Sequence, residues 1–464
     1  MNVEKIRQLF NQIIADSAWW SRLKDSQFVT YLVTFVAQIF FRAEQVSARR
    51  LQEAHLSRAQ RYPSVLAHSE SRGYVARKRI PLKKVVGITN DTGVDKYLPA
   101  LSKIYSASSD LHFVNETPIN IKADGKEYEL ELIQAQIQVV EFKVTEEKSF
   151  QEYLLPVQLS DKLSNINVKV TDPSGKAEQW YQSYKFRNTN ASSHAYVEIY
   201  TQTEQLGVRF GNGVSGKVPE LGSTVTLTCY VSDGFVELAD GVKLEVLANE
   251  SLKDLKIKSK RTLVVGSERE GMESIRNNAL YHINYDNTVV FDGDYKFFTN
   301  QHIAGLTFFR VWGEKEQEEL TGRKDLDFSG RVYLSAYHPL MDQASVMQAM
   351  TELYKNVKTL NVIYTPVACK MEKFTITLTA KILSTQKQDE VVGLVRKALS
   401  ERFGADAKGH NGDISYDAVW RVIADLGLLV RFKVDVQGVD LDVAPSMDVF
   451  RYLDISSSTI NINY

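Results

Sequence analysis

The chain has 464 residues, enough for roughly two to four domains, and its 56 basic and 57 acidic side chains leave a formal net charge of −1. A balance this close gives no global attraction to nucleic acid or to an anionic membrane, so neither is an expected partner. The two cysteines, Cys229 and Cys369, stand far apart, which excludes a disulfide framework and a cysteine zinc site and fits a reducing compartment.

The N-terminal run MNVEKIRQLFNQII lacks a basic segment leading into an apolar one, so no secretory signal is expected there. Ile6, Phe10, Ile13 and Ile14 share a face at helical spacing. Asp16 or Ser17 can cap a second helix, and Asp25 or Ser26 a third. No Gly or Pro interrupts that third helix before Pro63, so at ~1.5 Å per residue it would span roughly 50 Å. Its first half, Phe28 to Phe41, is apolar almost all round, while its second half is mostly charged. The apolar half falls short of the roughly 20 residues a membrane helix needs, and Thr30, Thr34 and Gln38 interrupt it, so membrane insertion is not expected. A helix apolar all round is normally buried. Two occupants are open: an intramolecular hairpin, or helices of other chains. Trp19 and Trp20 are adjacent and cannot both face one core from a helix. With Tyr31, Phe35 and Ile39 they form the candidate partner interface. A short helix, PSVLAHSESRGY, closes this segment near residue 76, with Gly73 as its C-terminal cap.

From 77 to 245 the pattern is that of an antiparallel β-rich domain. In EYELELIQAQIQVVEFKV, Tyr128, Leu130 and Leu132 share one face, Ile133, Ala135, Ile137 and Val139 another, and Val140, Phe142 and Val144 a third. Those two slips of phase predict bends or bulges in a long strand. NINVKV and AYVEIYT also alternate, and turn signals separate the runs. Residues 246 to 330 mix types: a helix at GMESIRNNALYHI, a second one capped by Asp292, and a strand at LTFFRVW. From 331 to 464 the order strand, helix, strand, strand, helix, helix, strand predicts a split-βαβ, ferredoxin-like unit. The fold class is therefore multidomain α+β: an N-terminal helical segment (1–76), the β-rich middle, and C-terminal α+β domains.

One loop, FGNGVSGKV at 210–218, has the glycine spacing of a phosphate cradle. Such a cradle requires a helix directly after it. Here Pro219 and Gly222 follow, then Val225, Leu227, Cys229 and Val231 alternate as a strand. Val218 stands where a nucleotide loop has Ser or Thr, and the dinucleotide version also requires a helix after the loop, where a strand follows. The glycines read as turn residues with positive φ between two antiparallel strands, and no cofactor is expected. The eight histidines, at 55, 68, 112, 194, 282, 302, 338 and 410, form no short ligand cluster, so no metal is expected. Asp292 and Asp294 fit a helix start better than a cation site. Cys229 reads as a core thiol. The basic ARKRIPLKK, 76–84, reads as a solvated strand or linker rather than a phosphate contact. No catalytic constellation emerges, and no enzyme activity is expected.

Residues 208–234, VRFGNGVSGKVPELGSTVTLTCYVSDG, resemble the signature of baseplate J-like wedge proteins of contractile phage tails, through Arg209, Phe210, Gly211, Asn212, Gly213, Gly216, Pro219, Gly222 and Tyr230. Further similarities follow in the family's order: SRGY at 71–74, GMESIRNNA, DGDYKFF with Asp294 and Tyr295, AGLTFFRVW, and the C-terminal GDISYDAVWRVIADLGLLVRFKV. The stretch NNALYHINYDN departs from the acid-rich, Ala- and Pro-containing helix usual there. The resemblance implies a structural subunit of the tail baseplate in the virion, assembled in the host cytoplasm. It implies a ring around the central hub that rearranges to trigger sheath contraction. Implied partners are other copies of the chain, paired through residues 331–464, and other wedge, hub and sheath-proximal proteins, with the N-terminal helices in a shared bundle. Two other readings stay open: a tail-associated glycan-binding or depolymerase protein, marked by paired acids beside exposed aromatics in a cleft, and a cellular secretion-system baseplate subunit.

Overall fold

The computed structural model describes residues 3–23, 26–201, 203–247, 252–285, 289–355, 357, 361–383, 387–407 and 412–463. Asp25, His410 and Asp286 and Asn287 of the departing stretch lie outside them. Among the described residues the chain is multidomain α+β.

Helix α1 (Val3–Asp16) folds back on α2 (Gln27–Glu53), with a short 3-10 turn at Trp20–Leu23 between them. Ser26 occupies the cap position of α2. Ile6 of α1 and Val29, Val33 and Ala37 of α2, the last three recurring every fourth residue, are all buried, and Phe10 packs on Phe40. The pair is the intramolecular hairpin. α2 ends ten residues before Pro63, so it spans about 40 Å rather than 50. The cause is packing. Leu56 and Ala59 turn inward against Val65, Leu66, Tyr74 and Ile275, and the Glu53 carboxylate accepts from the N–H groups of Gln60 and Arg61 to hold that turn. α3 (Tyr62–Ser71) follows, and Gly73, at φ 74°, supplies the left-handed residue that ends it.

Of the strands β1 (Lys83–Thr89), β2 (Lys96–Leu98), β3 (Lys103–Ser106), β4 (Leu111–Asn115), β5 (Ile119–Ile121) and β6 (Glu127–Gln134), β1, β3, β4 and β6 begin a barrel, while β2 and β5 pair with each other as a separate two-stranded sheet. The chain then leaves it for a seven-stranded sheet: β7 (Gln136–Lys143), β8 (Glu152–Leu154), a short α4 (Val157–Lys162), β9 (Leu163–Thr171), β10 (Ala177–Gln182), β11 (Ala195–Tyr200), β12 (Leu206–Phe210) and β13 (Thr224–Val231). It returns with β14 (Lys243–Val246) and β15 (Lys256–Val264), which close the barrel in the order β1-β15-β14-β3-β4-β6. The break expected at 245 thus falls inside the barrel, and the expected single domain is one module inserted into another.

The phase slips of residues 128–144 mark this hand-over rather than bulges. Leu130 and Leu132 enter the barrel core. Ile133, Ala135 and Ile137 pack with Val114 and Tyr230 at the junction. Val140, Phe142 and Val144 enter the core of the sheet. The sheet runs β7-β13-β9-β10-β11-β12-β8 and is antiparallel except where β10 meets β11. Residues from both halves of the sheet, such as Leu227 and Phe210, share one core.

The C-terminal part contains two units, not one split unit. Helices α5 (Met272–Tyr285) and α6 (Asp292–His302) precede β16 (Phe308–Trp312), α7 (Glu314–Thr321), β17 (Arg331–Tyr337), α8 (Gln343–Lys355) and β18 (Ile363–Val367). β17 and β18 are parallel neighbours joined over α8, with β16 on the other side. The second unit has β19 (Lys370–Lys381), α9 (Gln388–Phe403), α10 (Tyr416–Asp425), β20 (Arg431–Gln437), β21 (Val449–Leu453) and β22 (Thr459–Asn463). The twelve-residue β19 pairs with β20 along one edge and with β21 and then β22 along the other. The pattern from 331 joins two sheets end to end because β18 and β19 are separated by two residues yet belong to different sheets. Phe450 stacks on Phe308 and Tyr337 to hold the two units together.

His338, buried after β17, is bonded on both ring nitrogens: one faces the Ala304 carbonyl at 3.1 Å and the other the Leu340 N–H at 3.0 Å. That pairing requires the neutral imidazole, whose Nε2–H donates while Nδ1 accepts. Burial holds the group below its ordinary value of 6.5, with the Ala304 carbonyl partly offsetting. A histidine held low binds fewer protons folded than unfolded, so its contribution is present above about pH 6.5 and fades as pH falls. The melting temperature of the β16–β18 unit should therefore drop between pH 7 and 5, and His338→Gln should flatten that dependence. Scanning calorimetry across this range checks both.

Candidate functional site

The segment from Tyr74 to Lys84 leaves α3 and runs between the modules into β1. Glu270 lies beside it, 3 % exposed. Its carboxylate accepts from the Tyr74 hydroxyl at 2.6 Å, the Arg77 N–H at 3.0 Å, the Ser274 hydroxyl at 2.7 Å and the Asn278 amide. Burial and then the adjacent Glu270 charge push the Tyr74 hydroxyl far above its ordinary value, so it stays a donor. Lys78 bonds Glu198 of β11 at 2.7 Å, and Glu198 is 2 % exposed. Arg79 reaches Glu268 at 3.1 Å, Asp161 at 3.7 Å and the Ser232 carbonyl at 3.1 Å. Lys84, 1 % exposed, bonds Asp240 at 2.7 Å and the Leu238 carbonyl. The basic run is thus neither a solvated linker nor a phosphate contact. It is an internal strap in which Lys78, Arg79 and Lys84 are paired with acids of the sheet, the segment before α5 and the barrel.

Arg209 extends this junction. Its guanidinium meets Glu152 of β8 at 2.8 Å and Glu70 of α3 at 3.3 Å. Phe210 is fully buried, edge-on to Trp180 and Tyr153. The loop that follows does not join neighbouring strands: β12 and β13 belong to one sheet but are separated by β11, β10 and β9. The expected hairpin turn is a crossover. Its amides point inward. Gly213 N–H donates to Gly216 O, Val214 and Ser215 N–H to the Asn212 side chain, Gly216 N–H to Asn190 O, and Lys217 N–H to Ser193 O. Lys217 pairs with Glu220 at 3.2 Å. A phosphate cradle needs those groups aimed outward. Gly213, Gly216 and Gly222 have positive φ as expected; Gly211 does not. It is required for a different reason, since a Cβ there would lie 2.2 Å from the Gly216 carbonyl oxygen. Pro219 is buried, and Tyr230 accepts from Asn167 at 3.2 Å in the junction core.

The structure therefore brings together residues scattered along the sequence. Gly73 and Tyr74, Arg209, and the segment before and within α5 meet at one place. Gly73, Tyr74, Arg209 and His282 of α5 line a cleft of about 1400 Å³ with Arg72, Lys78, Glu198, Phe298 and His302. Asp294, not Asp292, serves the start of α6: it accepts from Phe291 N–H at 2.8 Å, Val290 N–H at 3.1 Å and the Tyr281 hydroxyl at 2.6 Å. Asp292 is the first helical residue. Burial pushes both thiols up to about 11, which leaves neither a ready nucleophile at neutral pH. Among the described residues, no group of three or more His, Cys, Asp or Glu can hold a metal ion, and no helix is long and apolar enough to cross a membrane.

The five candidate interface residues are all at the surface. Tyr31 is 74 % and Trp19 63 % exposed, and Trp19 and Trp20 stack edge to face at 5.0 Å in the turn between the helices. Phe35 and Ile39 align with Phe28, Leu32 and Val46, all exposed, in one stripe. At 100° per residue this stripe lies opposite the Val29–Val33–Ala37 face that α1 covers. Phe28, Leu32 and Val46 are additions that helical spacing alone could have supplied. The partner acids of the strap were also missed, although Glu198 stands out as a lone charge in the apolar strand AYVEIY.

No protein-family description matches the chain, and no curated protein does. Among solved structures it has weak likenesses. One is to a chain of the anti-feeding prophage (AFP) baseplate, at 11 % identity and TM-score 0.32, covering 97 % of this chain and 90 % of that one. Another is to the pilus 2b backbone protein of group B streptococcus, at 13 % identity and TM-score 0.16, covering 36 % and 57 %. Likenesses of this size do not establish a shared fold.

The strap makes a specific energetic claim. Lys78→Met strands the buried Glu198 and should cost about 3–5 kcal/mol, whereas Lys78→Met with Glu198→Leu should return to within about 1 kcal/mol of the parent. Urea unfolding of the three proteins distinguishes the cases.

Proposed function

We propose that this chain is a structural wedge subunit of a contractile-tail baseplate, acting through interfaces and not through catalysis. The observation that carries the reading is the bare apolar stripe of α2. The hairpin covers one face of that helix and leaves Phe28, Tyr31, Leu32, Phe35 and Ile39 in solvent. Contiguous apolar surface of this kind marks a protein interface. The resemblance of residues 208–234 to the baseplate J-like signature supplies the biological setting, and the signature residues serve the junction that orients the modules.

On this reading the N-terminal hairpin joins helices of other wedge chains. Copies form a ring around the central hub, and residues 331–464 contribute contacts between copies. The ring rearranges, by exchange in population between two packings of the same interfaces, and so triggers sheath contraction. The chain is a virion component, assembled in the host cytoplasm, and takes no cofactor.

Phe28→Ser with Phe35→Ser should leave the circular dichroism of the isolated chain unchanged, because neither side chain is in a core. Loss of two aromatic anchors, worth about 2 kcal/mol or more each, should remove the chain from purified tail particles. Immunoblotting of particles from a complemented null strain reads this out. Normal incorporation of the variant, or absence of the parent chain from particles, contradicts the proposal.

A further inference from the structure

Among the described residues several edge strands are protected. Tyr416 of α10 donates to the Val434 carbonyl on β20 at 3.0 Å. Gln388 of α9 donates to the Ile462 carbonyl on β22 at 2.6 Å, and Arg396 donates to the Ile455 and Ser458 carbonyls just before it. β18 carries Pro366 at its edge, and β8 has only three residues. Such devices keep exposed edges from pairing with other chains. β7 has none of them. It is eight residues long, contains no Gly or Pro, and pairs only with β13.

The ladder fixes which groups are exposed. Val144, just past the strand, donates to Ser223 and accepts from Gly222, so its N–H and C=O face β13. By alternation Phe142, Val140 and Gln138 do the same, and Ile137, Val139, Glu141 and Lys143 turn theirs to the open side. Among the described residues none bonds to these outward groups. Val139 is 57 % exposed, and Glu141 and Lys143 are exposed too.

We propose that this edge pairs antiparallel with the same edge of a second copy, about a two-fold axis at Phe142. Two-fold pairing uses one strand twice, so its sequence must complement itself. With the axis at Phe142, Glu141 lies opposite Lys143 of the second copy, and the match occurs twice. Both are outward-bonding residues, so each opposed pair exchanges its N–H and C=O groups. Phe142 then faces its own counterpart at the closely spaced, non-hydrogen-bonded position, where aromatic cross-strand pairs are favourable. The neighbouring registers lack this match: an axis at Glu141 sets two carboxylates opposite each other, one at Lys143 sets two ammonium groups opposite each other, and one at Val140 sets Glu141 against Val139. The contact spans Val139 to Thr145. It does not depend on the baseplate reading.

The test is analytical ultracentrifugation of the full chain over a wide concentration range, with Glu141→Lys, Lys143→Glu and an equimolar mixture of the two variants. The parent should dimerise. Each variant alone sets like charges opposite each other twice and should dimerise at least about tenfold more weakly. The mixture restores both opposite-charge pairs in a heterodimer and should recover the parent affinity. Val139→Pro, which removes an outward N–H and no inner one, should also abolish the dimer. A parent that stays monomeric, variants within about twofold of the parent, or a mixture that fails to associate overturns the proposal. A dimer lost only on Phe28→Ser with Phe35→Ser overturns it too, while leaving the wedge reading standing.

Discussion

A buried carboxylate is costly unless its charge is met by hydrogen bonds, and the centre of this molecule is organised around one that is. Glu270 is out of water and bonded by four donors, two from the strap and two from α5. The strap can take its path only if that carboxylate is satisfied. Once it does, Lys78, Arg79 and Lys84 are delivered in turn to Glu198, Glu268 and Asp240. Isolated surface ion pairs contribute little. Here Lys84, Glu198 and Glu270 are nearly fully buried, so removing one partner strands a charge in low dielectric. The modules are held in orientation by a short run of basic residues read by acids from across the fold.

That arrangement explains which parts of the fold were legible in the sequence. Local patterns carried local facts. The spacing of Ile6, Phe10, Ile13 and Ile14 gave α1, Gly73 gave the end of α3, and the phase slips near 132 and 139 marked the passage from barrel to junction to sheet. What the sequence withheld was long-range. Tyr74 meets Glu270 across 196 residues and Lys78 meets Glu198 across 120. No periodicity encodes such pairings, so the strap read as a linker. The barrel read as ending at 245 because its closing strands return after a whole inserted sheet. The expected split unit became two because β18 and β19 follow each other closely yet join different sheets.

The glycine-rich loop shows the same limit from the other side. Its spacing invited a phosphate reading, which the following strand argued against. The loop's crossover over three strands, and the clash that any side chain at Gly211 would make with Gly216, required coordinates. The apolar stripe of α2 was half legible. Tyr31, Phe35 and Ile39 were named from the sequence, but which face α1 would cover was not. Together the features divide the chain into a junction that fixes its modules and apolar surface left exposed. The proposed role as an assembly subunit would use both, because interfaces can pull on one another only through a body that does not yield.

The most direct test of that account is hydrogen–deuterium exchange of the full chain with Glu270→Ala against the parent. If the junction acts as one unit, amide protection should fall together in the strap, in α5 and in β11 and β12, with the barrel interior and the β19–β22 unit unchanged. Faster exchange confined to the immediate neighbours of residue 270 would contradict it, and would mean that the modules hold their orientation without the strap.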